Sequence, residues 1–407
     1  MRLLCVDHFF EQDIDALRHD ATGSRRCWTV AYERFYDAAA AVFDDDVFVG
    51  IEEYFRPEHA AARDRYAAIA REQVAELYAE YRFDALLIPS DTFFWVRALV
   101  TACQGLGLPV VCLQKEAVIP PGWLEGPARE WGQISPFIAD HMLVSSEHHR
   151  TFWLNGGVAA DIVEVTGQPR FDIYRRPERR RSWAEVGVDV PAGRPTILFL
   201  TYDANAYLPI IDRTGLAPWA QMRAETEAVL LELAAAGEAT VLIKGHPQWS
   251  EDQSAHLAQL GSNPGVLILD PQGDVRQYVL NADVVLGFQT TALFESLAAG
   301  RPTFYTWWSP ATQEYAADLI PFHEADEALT VARSPQALRN ALRDRLADPS
   351  AGPDPTAASA LVETYLGRVD GAAGERCWTA IERIVAGRRL TGPGRAALAA
   401  AHRSRPR

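Results

Sequence analysis

Lys244 and His246 are the clearest chemical signal in the sequence. They follow the apolar run 241–243 in the tetrapeptide Lys-Gly-His-Pro, where Pro247 prevents a strand from continuing. An ammonium group and an imidazole just beyond a strand end suit a diphosphate or a departing phosphate. A lone histidine is more often structural, but this placement favours a functional role.

A second candidate anion site follows the apolar run 283–286. There Gly287 precedes the hydroxyl residues Thr290 and Thr291, and a helix is predicted over 292–299. Glycine and hydroxyl residues before a helix leave backbone N–H groups at the positive end of its dipole, where anions bind. Plain N-capping by one of the threonines is the competing interpretation, and both can hold together.

Two more polar residues have a functional and a structural interpretation. Glu295 lies about one turn inside the predicted helix, where it can accept hydrogen bonds from ribose hydroxyls, or it is an exposed surface carboxylate. After the predicted strand 162–166, Gly167 permits a tight turn, Pro169 stiffens it, and Arg170 adds a fixed cation near the expected cleft between domains. The structural alternative for this stretch is a strand-ending turn with a surface Arg–Asp pair.

Lysine is rare in this chain. Lys115 and Lys244 are the only lysines among 39 basic residues, and both follow predicted strands, one in each half. Because arginine is used elsewhere, a retained lysine suggests a need for a compact or titratable ammonium group. Coincidence is the alternative, since coding bias can produce the depletion.

Composition excludes several classes of function. With 39 basic and 54 acidic residues the formal charge is −15, which argues against a general nucleic-acid binder. The chain has no GxxxxGK[ST], no glycine-rich dinucleotide fingerprint and no GxSxG, so kinase, dehydrogenase and α/β-hydrolase functions lack their motifs. No histidines or cysteines show metal-ligand spacing, and the five scattered cysteines are predicted to be reduced thiols.

The elements that must position these residues follow an α/β pattern. Short runs of Val, Ile and Leu alternate with helical stretches, as in parallel sheets covered by helices on both faces. Strands are predicted over 3–7, 85–89, 109–113, 141–145 and 162–166, then over 196–200, 240–243, 266–269, 283–286 and 303–305. Helices are predicted over 57–81, 220–235, 250–260, 275–281, 292–299, 335–346, 356–367 and 374–386. In such sheets ligands bind beyond the carboxyl ends of the strands.

Length and composition predict two domains with short additions. The predicted order is an acceptor-side Rossmann-like domain, an arginine-rich linker, a nucleotide-donor domain, crossover helices and a basic mobile tail, over 1–173, 174–194, 195–350, 351–387 and 388–407. The apolar run at the N-terminus is too short for the core of a signal peptide, and no later apolar run reaches membrane-spanning length. We therefore expect a cytoplasmic protein with at most peripheral membrane contact.

Four segments carry a family resemblance. Residues 166–172 resemble the "TGNPRFD" turn, and 243–247 the "KxHP" motif, of GT-B-fold transferases of bacterial surface polysaccharides, the group around CDP-glycerol glycerophosphotransferases and capsule glycosyltransferases. Residues 198–202 are similar to the first strand of their nucleotide-binding domain, and 282–302 to their "ADxxIGxxSTxxxEALAxGKP" segment. The resemblance extends over about 109–305 and is weak over the first hundred residues.

This resemblance implies a GT-B fold, with two Rossmann-like doubly wound parallel-sheet domains facing a cleft and C-terminal helices crossing back onto the N-terminal domain. It implies that phosphates are held after the strands and that Glu295 binds the ribose. The nucleotide-donor residues are therefore predicted to be Arg170, Thr201, Lys244, His246, Gln289, Thr290, Thr291 and Glu295.

One departure concerns the catalytic base. Many relatives carry "QHG" after the strand corresponding to 109–113, whereas this chain has Gln-Lys-Glu, so the expected histidine is missing or replaced. Glu116 is the obvious substitute, His8 and Asp91 after two other strands are the reserves, and Lys115 completes the catalytic candidates.

The predicted activity is a metal-independent transfer of a glycosyl or glycerol-phosphate-type group from a nucleotide sugar or CDP-polyol to an acceptor hydroxyl. The donor is a substrate rather than a cofactor, and the acceptor is a glycan or another hydroxyl compound, with a lipid-linked one among the options. An enzyme like the UDP-N-acetylglucosamine 2-epimerases is an alternative, although their "GHRxE" stretch is absent, since Gln248 follows His246 and Pro247. A GT-B protein that binds a nucleotide sugar without turnover is a third possibility.

Overall fold

The computed structural model describes residues 1–43, 51–115, 118–206, 215–246, 251–350 and 353–387. The chain divides into two compact units. Unit 1 contains the described parts of 1–117, 123–172 and 366–407, and unit 2 those of 118–122 and 173–365.

Unit 1 is built on a six-stranded parallel sheet. Its strands are β1 (Arg2–Asp7), β2 (Arg26–Ala31), β3 (Ala85–Ile88), β4 (Val110–Leu113), β5 (His141–Val144) and β6 (Val163–Val165), in the order β2-β1-β3-β4-β5-β6. The helices between them are α1 (Glu11–His19), α2 (Glu33–Ala40), α3 (Ile51–Tyr54), α4 (Ala60–Tyr81), α5 (Phe94–Gly105), α6 (Gly126–Ile134) and α7 (Glu147–Asn155). The strand order reverses between β1 and β3, which is where ligands bind in open α/β sheets.

Unit 2 repeats this arrangement. Its strands are β7 (Thr196–Leu200), β8 (Thr240–Lys244), β9 (Val266–Leu269), β10 (Val284–Gly287), β11 (Thr303–Thr306) and β12 (Thr330–Ala332), in the parallel order β12-β11-β10-β7-β8-β9. Its helices are α8 (Ala220–Ala235), α9 (Glu251–Gly261), α10 (Val275–Asn281), α11 (Ala292–Ala298), α12 (Ala311–Tyr315), α13 (Pro335–Ala347) and α14 (Pro355–Leu366). The order reverses between β7 and β10.

The prediction of two doubly wound parallel sheets is confirmed. Each predicted strand lies within one residue of an observed strand at both ends, because buried parallel strands are continuous apolar runs. Two strands were missed. The edge strand β2 is half exposed and carries Arg26 and Thr29, and β12 has only three residues, so neither forms such a run.

The last described helix belongs to unit 1, whereas α14, which the prediction also grouped with the crossover helices over 351–387, lies in unit 2 up to Tyr365. The last helix, α15 (Ala373–Gly387), places Trp378 and Ile381 in the core formed by β1, β3, β4 and α1. The Trp378 indole N–H donates to the carbonyl of Leu17 at 2.9 Å. Asp172 accepts hydrogen bonds from the backbone N–H of Ala373 at 2.9 Å and of Gly374 at 2.8 Å, so it satisfies the first amides of α15.

The arginine-rich segment 174–194 is attached to unit 2. Arg180 Nε donates to Asn281 Oδ1 at 3.0 Å, and the backbone N–H of Arg181 donates to Gln277 Oε1 at 2.8 Å. Asn281 and Gln277 return hydrogen bonds to backbone carbonyls of the segment. The segment predicted as a linker is therefore fixed along α10, and the predicted basic tail 388–407 lies outside the described residues.

Two further properties concern the whole described chain. No helix in the described ranges is both long enough and apolar enough to cross a membrane. All five cysteines are free thiols, and every one except the half-buried Cys27 is buried.

Candidate functional site

The candidate site of unit 2 lies at the carboxyl end of β10 and of its two neighbours in the sheet, β7 and β11. Gly287 ends β10, and a Cβ added to it would come within 3.2 Å of Thr290 Cγ2 and 3.3 Å of Leu293 Cδ2. A side chain at this position would therefore crowd the turn that follows the strand. Glycine allows the chain to fold back closely from β10 into α11.

The turn after β10 offers backbone N–H groups. Gln289 has a φ of 48°, in the left-handed region that non-glycine residues seldom adopt. None of the described residues accepts a hydrogen bond from the backbone N–H of Gln289, Thr290 or Thr291. Consecutive amides around a left-handed residue form a concavity that binds anions, called a nest. We refer to residues 289–291 as the nest.

The first amides of α11, by contrast, are already used. The N–H of Leu293 and of Phe294 donate to the carbonyls of Thr290 at 3.1 Å and Thr291 at 3.0 Å, and Ala292 N–H lies 3.4 Å from Thr290 Oγ1. The backbone amides that are left to bind an anion are therefore those of the nest, just before α11, rather than the first amides of α11. Thr291 is the N-cap residue of α11 and makes no side-chain capping hydrogen bond, so the capping alternative is limited to the Thr290 hydroxyl contact with Ala292.

Gln289 holds the nest with its side chain rather than presenting that side chain to a ligand. Its amide N–H₂ donates to the Tyr305 hydroxyl and to the Ile320 carbonyl, both at 2.8 Å, and its Oε1 accepts from Ile320 N–H at 2.8 Å. The side chain is buried and its donors and acceptor are engaged. Gln289, predicted to bind phosphate, can therefore contribute only its backbone.

Two buried hydroxyls flank the nest. Thr201 follows β7 and is 7% exposed, and Thr306 ends β11 and is 0% exposed. The Oγ1 of each has no hydrogen-bond partner in the described chain. Buried hydroxyls are nearly always paired, and an unpaired one costs free energy, so these two threonines point to a polar ligand.

Thr306 is not among the site residues predicted from the sequence. The rule that ligands bind beyond strand ends applies to it equally, because a strand was predicted over 303–305. A threonine that ends an apolar run is the signal that would have identified it.

Lys244 is the last residue of β8 and is 6% exposed. Its Nζ donates to the carbonyls of Pro271 at 2.8 Å and Gly245 at 3.1 Å, which leaves one of its three protons for another acceptor. Burial lowers the pKa of Lys244 to about 8, against the opposing charges of Asp270, Glu295 and Asp274. Its ammonium group therefore holds two backbone carbonyls of the protein, and its pKa of about 8 means that it loses its charge just above neutral pH.

His246 is exposed two residues later. It lies close enough to Asp203 for its charge to lower the pKa of that carboxyl, although burial raises this pKa more strongly. Asp203 Oδ1 is a further buried atom without a partner among the described residues. The ends of β7 and β8 thus bring Thr201, Asp203 and His246 to one region of unit 2.

Glu295 is buried inside α11 rather than exposed, which excludes the surface alternative. The Tyr174 hydroxyl donates to its Oε2. Nearby, Arg276 pairs with Asp274 through Nε to Oδ1 at 2.9 Å and Nη2 to Oδ2 at 2.8 Å. Glu295 is therefore a positioned carboxylate that can accept hydrogen bonds from a vicinal diol such as ribose.

The catalytic candidates lie in unit 1, where β1 and β3 end. The His8 ring lies edge-to-face against Tyr32, with centroids 4.2 Å apart, and against Phe93 at 4.6 Å. Burial, reinforced by the charge of Lys115, lowers the pKa of His8 to about 4, so the imidazole is neutral at pH 7. Lys115 Nζ lies 5.0 Å from the centre of the Phe9 ring. His8 and Lys115 therefore share one location.

Asp91 and Glu116 are the other two catalytic candidates. Asp91 is fully buried, and its Oδ2 accepts the backbone N–H of Ile138 at 2.6 Å, which gives it a structural task. Burial raises its pKa. Glu116 lies outside the described residues.

Arg170 belongs to unit 1, unlike the other predicted donor-binding residues. Its backbone N–H donates to Asp13 Oδ1 at 3.0 Å, and its Nη1 lies 3.9 Å from Asp13 Oδ2. Gln168 Nε2 donates to the same carboxylate at 3.2 Å. The turn is thus fastened to α1, while Asp172, expected to pair with Arg170 at the surface in the structural alternative, caps α15 instead.

Across the described ranges, no group of three or more His, Cys, Asp or Glu side chains is arranged to hold a metal ion.

Comparisons with known proteins identify the fold. No protein-family model and no curated protein sequence matches the chain. A UDP-GlcNAc 2-epimerase from Neisseria meningitidis bound to UDP-GlcNAc has a similar structure, with a TM-score of 0.55, 12% identity, and coverage of 94% of this chain and 100% of that one. For a glycosyltransferase from Rickettsia africae the TM-score is 0.53, the identity 11% and the coverage 95% and 99%.

A third similar structure is a Methanocaldococcus jannaschii UDP-GlcNAc 2-epimerase in complex with UDP-GlcNAc and UDP, with a TM-score of 0.52, 12% identity and coverage of 94% and 100%. At these identities the likeness establishes the fold, a GT-B-like pair of parallel-sheet α/β units. The finer likeness to CDP-glycerol transferases stays a prediction.

Proposed function

We propose that this protein is an enzyme of nucleotide-sugar chemistry that binds the nucleotide-activated donor in unit 2. The observation that carries the proposal is the nest between two buried threonine hydroxyls that lack partners in the described chain. These donors surround the end of β10, at the reversal of strand order. The Neisseria and Methanocaldococcus structures, which contain UDP-GlcNAc, support this choice of ligand class.

The proposed binding mode follows from the charges. The diphosphate accepts hydrogen bonds from the nest amides and from Thr201 and Thr306, and Lys244 and His246 offset its negative charge. These groups are fixed before the ligand arrives, so they stabilise a departing phosphate without reorganisation. Glu295, oriented by Tyr174, accepts the ribose hydroxyls.

We propose group transfer as the reaction, with a glycosyl or glycerol-phosphate-type group passing to an acceptor hydroxyl. Unit 1 supplies the candidates for handling the acceptor, His8 and Lys115, with Glu116 the remaining candidate base. His8 is neutral at pH 7 and so is able to accept a proton, although its low pKa makes it a weak base. Lys115 supplies a positive charge beside it.

Epimerisation at C2 of a UDP-sugar is the second candidate, because two of the three similar structures cited above are UDP-GlcNAc 2-epimerases. The missing "GHRxE" stretch counts against it. Binding without turnover is the remaining possibility.

Product analysis with UDP-GlcNAc separates these functions. Transfer releases the nucleotide only when an acceptor is present, whereas epimerisation changes the configuration at C2 and leaves the mass of the nucleotide sugar unchanged. A raised melting temperature with nucleotide but no product identifies the binding protein. If UDP, CDP and GDP sugars all fail to raise the melting temperature, the proposed function is wrong.

A further inference from the structure

An aromatic cluster surrounds His8 in unit 1. Besides Tyr32 and Phe93, the imidazole meets Phe9 with centroids 4.9 Å apart and Trp95 at 5.5 Å. Phe93 and Trp95 are stacked, with an interplanar angle of 8°. We call Phe9, Tyr32, Phe93 and Trp95 the aromatic cradle. It lies where β1 and β3 end and the strand order reverses, the ligand-binding position of such a sheet.

The cradle is open to solvent. Phe9 is 52% exposed, and Tyr32 and Phe93 are half-buried, although large aromatic side chains are usually covered. Phe9 also has a φ of 53°, in the left-handed region, which is a genuine outlier for a bulky residue. Strain of this kind persists where the surroundings enforce it, and it clusters at functional sites. The local backbone thus holds an aromatic ring out in water at a ligand-binding position.

Two of the described side chains bring polar groups to the cradle. Lys115 places its ammonium group 5.0 Å from the centre of the Phe9 ring, and the His8 imidazole is neutral at pH 7. His8 Nδ1 is buried and has no hydrogen-bond partner among the described residues. The site therefore combines aromatic walls, one cation and a neutral imidazole.

This combination selects among hydroxyl compounds. A saccharide carries a polar group on nearly every ring carbon and can use an aromatic ring only through its C–H face, whereas the described side chains around His8 are mainly aromatic rings. A phenol presents a flat ring that can pack edge-to-face or offset against Phe9, Tyr32 and Phe93. Its hydroxyl ionises near pH 10, far more readily than an alkyl hydroxyl, so the ammonium group of Lys115 can favour its anion.

We propose that the aromatic cradle binds a phenolic compound, with its ring against Phe9, Tyr32 and Phe93 and its hydroxyl beside Lys115 and His8. The binding site stands on the geometry of unit 1 alone. Only the role of the phenol as the acceptor of the transferred group rests on the proposed function.

Ligand-observed NMR and calorimetry on the full chain without nucleotide test this site. The probes are 4-methylumbelliferone, its methyl ether and methyl β-glucoside. We expect the phenol to bind, the methyl ether to bind about tenfold more weakly because it cannot form the anion, and the glucoside not to bind. Binding of the glucoside in preference to the phenol, or no binding of the phenol at its solubility limit, overturns the proposal.

Variants locate the site. Phe9→Ala and Phe9→Asn should each weaken phenol binding about tenfold or more, and asparagine tolerates the left-handed conformation if alanine strains the fold. Lys115→Met should weaken the phenol but not its methyl ether. The control is Phe55→Ala, because Phe55 is 42% exposed on the same unit, beneath Arg97, and outside the cradle. Equal phenol affinity in Phe9→Ala, Phe9→Asn and Phe55→Ala overturns the proposal.

This test separates the two proposals. The nucleotide site is tested by melting temperature with nucleotides alone, and the cradle by phenol binding without nucleotide. A negative result for phenol binding would leave the proposed nucleotide site intact, and a negative result for nucleotide binding would leave the phenol site intact.

Discussion

Thr306→Val is the sharpest perturbation of the nucleotide site, because valine keeps the shape of threonine and removes only the hydroxyl. Thr306 is 0% exposed, and its Oγ1 has no partner among the described residues. An unpaired buried hydroxyl costs about 1–3 kcal/mol, so the variant without ligand should be at least as stable as the wild type. For a unit of this size each kcal/mol raises the melting temperature by about 2–4 °C.

In the presence of nucleotide, the loss of the hydroxyl becomes unfavourable, because the ligand loses a hydrogen-bond donor. A hydrogen bond to a charged phosphate contributes about 1.5–3 kcal/mol, so Thr306→Val should weaken nucleotide-sugar binding roughly 10- to 150-fold. Calorimetry gives the dissociation constant, and urea denaturation gives the free energy of unfolding of the same sample. A variant that is more stable but binds more weakly is the signature of a hydroxyl reserved for a ligand.

Thr240→Val is the matched control. Thr240 begins β8, at the amino end of the sheet, is 1% exposed, and likewise has an Oγ1 without a partner in the described chain. Its replacement should have the same effect on stability and none on nucleotide binding. The reasoning is refuted if Thr306→Val binds nucleotide as tightly as Thr240→Val does, or if Thr306→Val is the less stable of the two by more than about 1 kcal/mol.

Three further predictions concern other described residues. Gln289→Ala removes the amide that pairs with both the carbonyl and the N–H of Ile320, so it should cost about 2–4 kcal/mol in urea denaturation and weaken nucleotide binding; unchanged affinity would show that the side chain does not hold the nest. Because the pKa of Lys244 is about 8, nucleotide affinity measured by calorimetry should fall as the pH rises through 8, and Lys244→Met should abolish that dependence. Burial lowers the pKa of His149 to about 3 from an ordinary 6.5, so the unfolded state binds a proton that the native state refuses, and stability should fall on acidification by on the order of 3 kcal/mol at pH 4.5. His149→Gln should flatten that loss in denaturation curves at pH 7.5 and 4.5, and an equally steep curve for this variant would contradict the assignment.

The sequence predicts an element well where burial on both faces makes it a continuous apolar run. Central strands such as β4 and β10 are apolar runs because both faces are covered, so they could be predicted to within one residue. The edge strand β2 is exposed at both ends and only partly buried between them, so it lacks that signal. Helices α5 to α7 were also not predicted, although Phe94–Gly105 is largely buried and apolar, because an apolar helix and a buried strand look alike over short windows.

For the candidate site, the sequence singles out strand ends but does not show how each side chain is used. Gln289 and Lys244 were predicted as ligand-binding groups, yet the Gln289 amide makes two hydrogen bonds to the Ile320 backbone, and Lys244 Nζ donates one of its protons to the Pro271 carbonyl. Ile320 and Pro271 are 27 or more residues away in sequence, so no local pattern reveals these contacts. The left-handed φ of Gln289 and the unpaired hydroxyl of Thr306 are likewise products of tertiary packing.

A structure of the chain with UDP bound would show directly whether the nest and Thr306 bind the diphosphate. We expect the diphosphate oxygens to lie about 2.7–3.2 Å from the backbone nitrogens of the nest and from Thr306 Oγ1, and the ribose hydroxyls to lie at Glu295. A nucleotide bound away from the end of β10, or one whose phosphates leave the nest amides and Thr306 without a partner, would contradict this expectation.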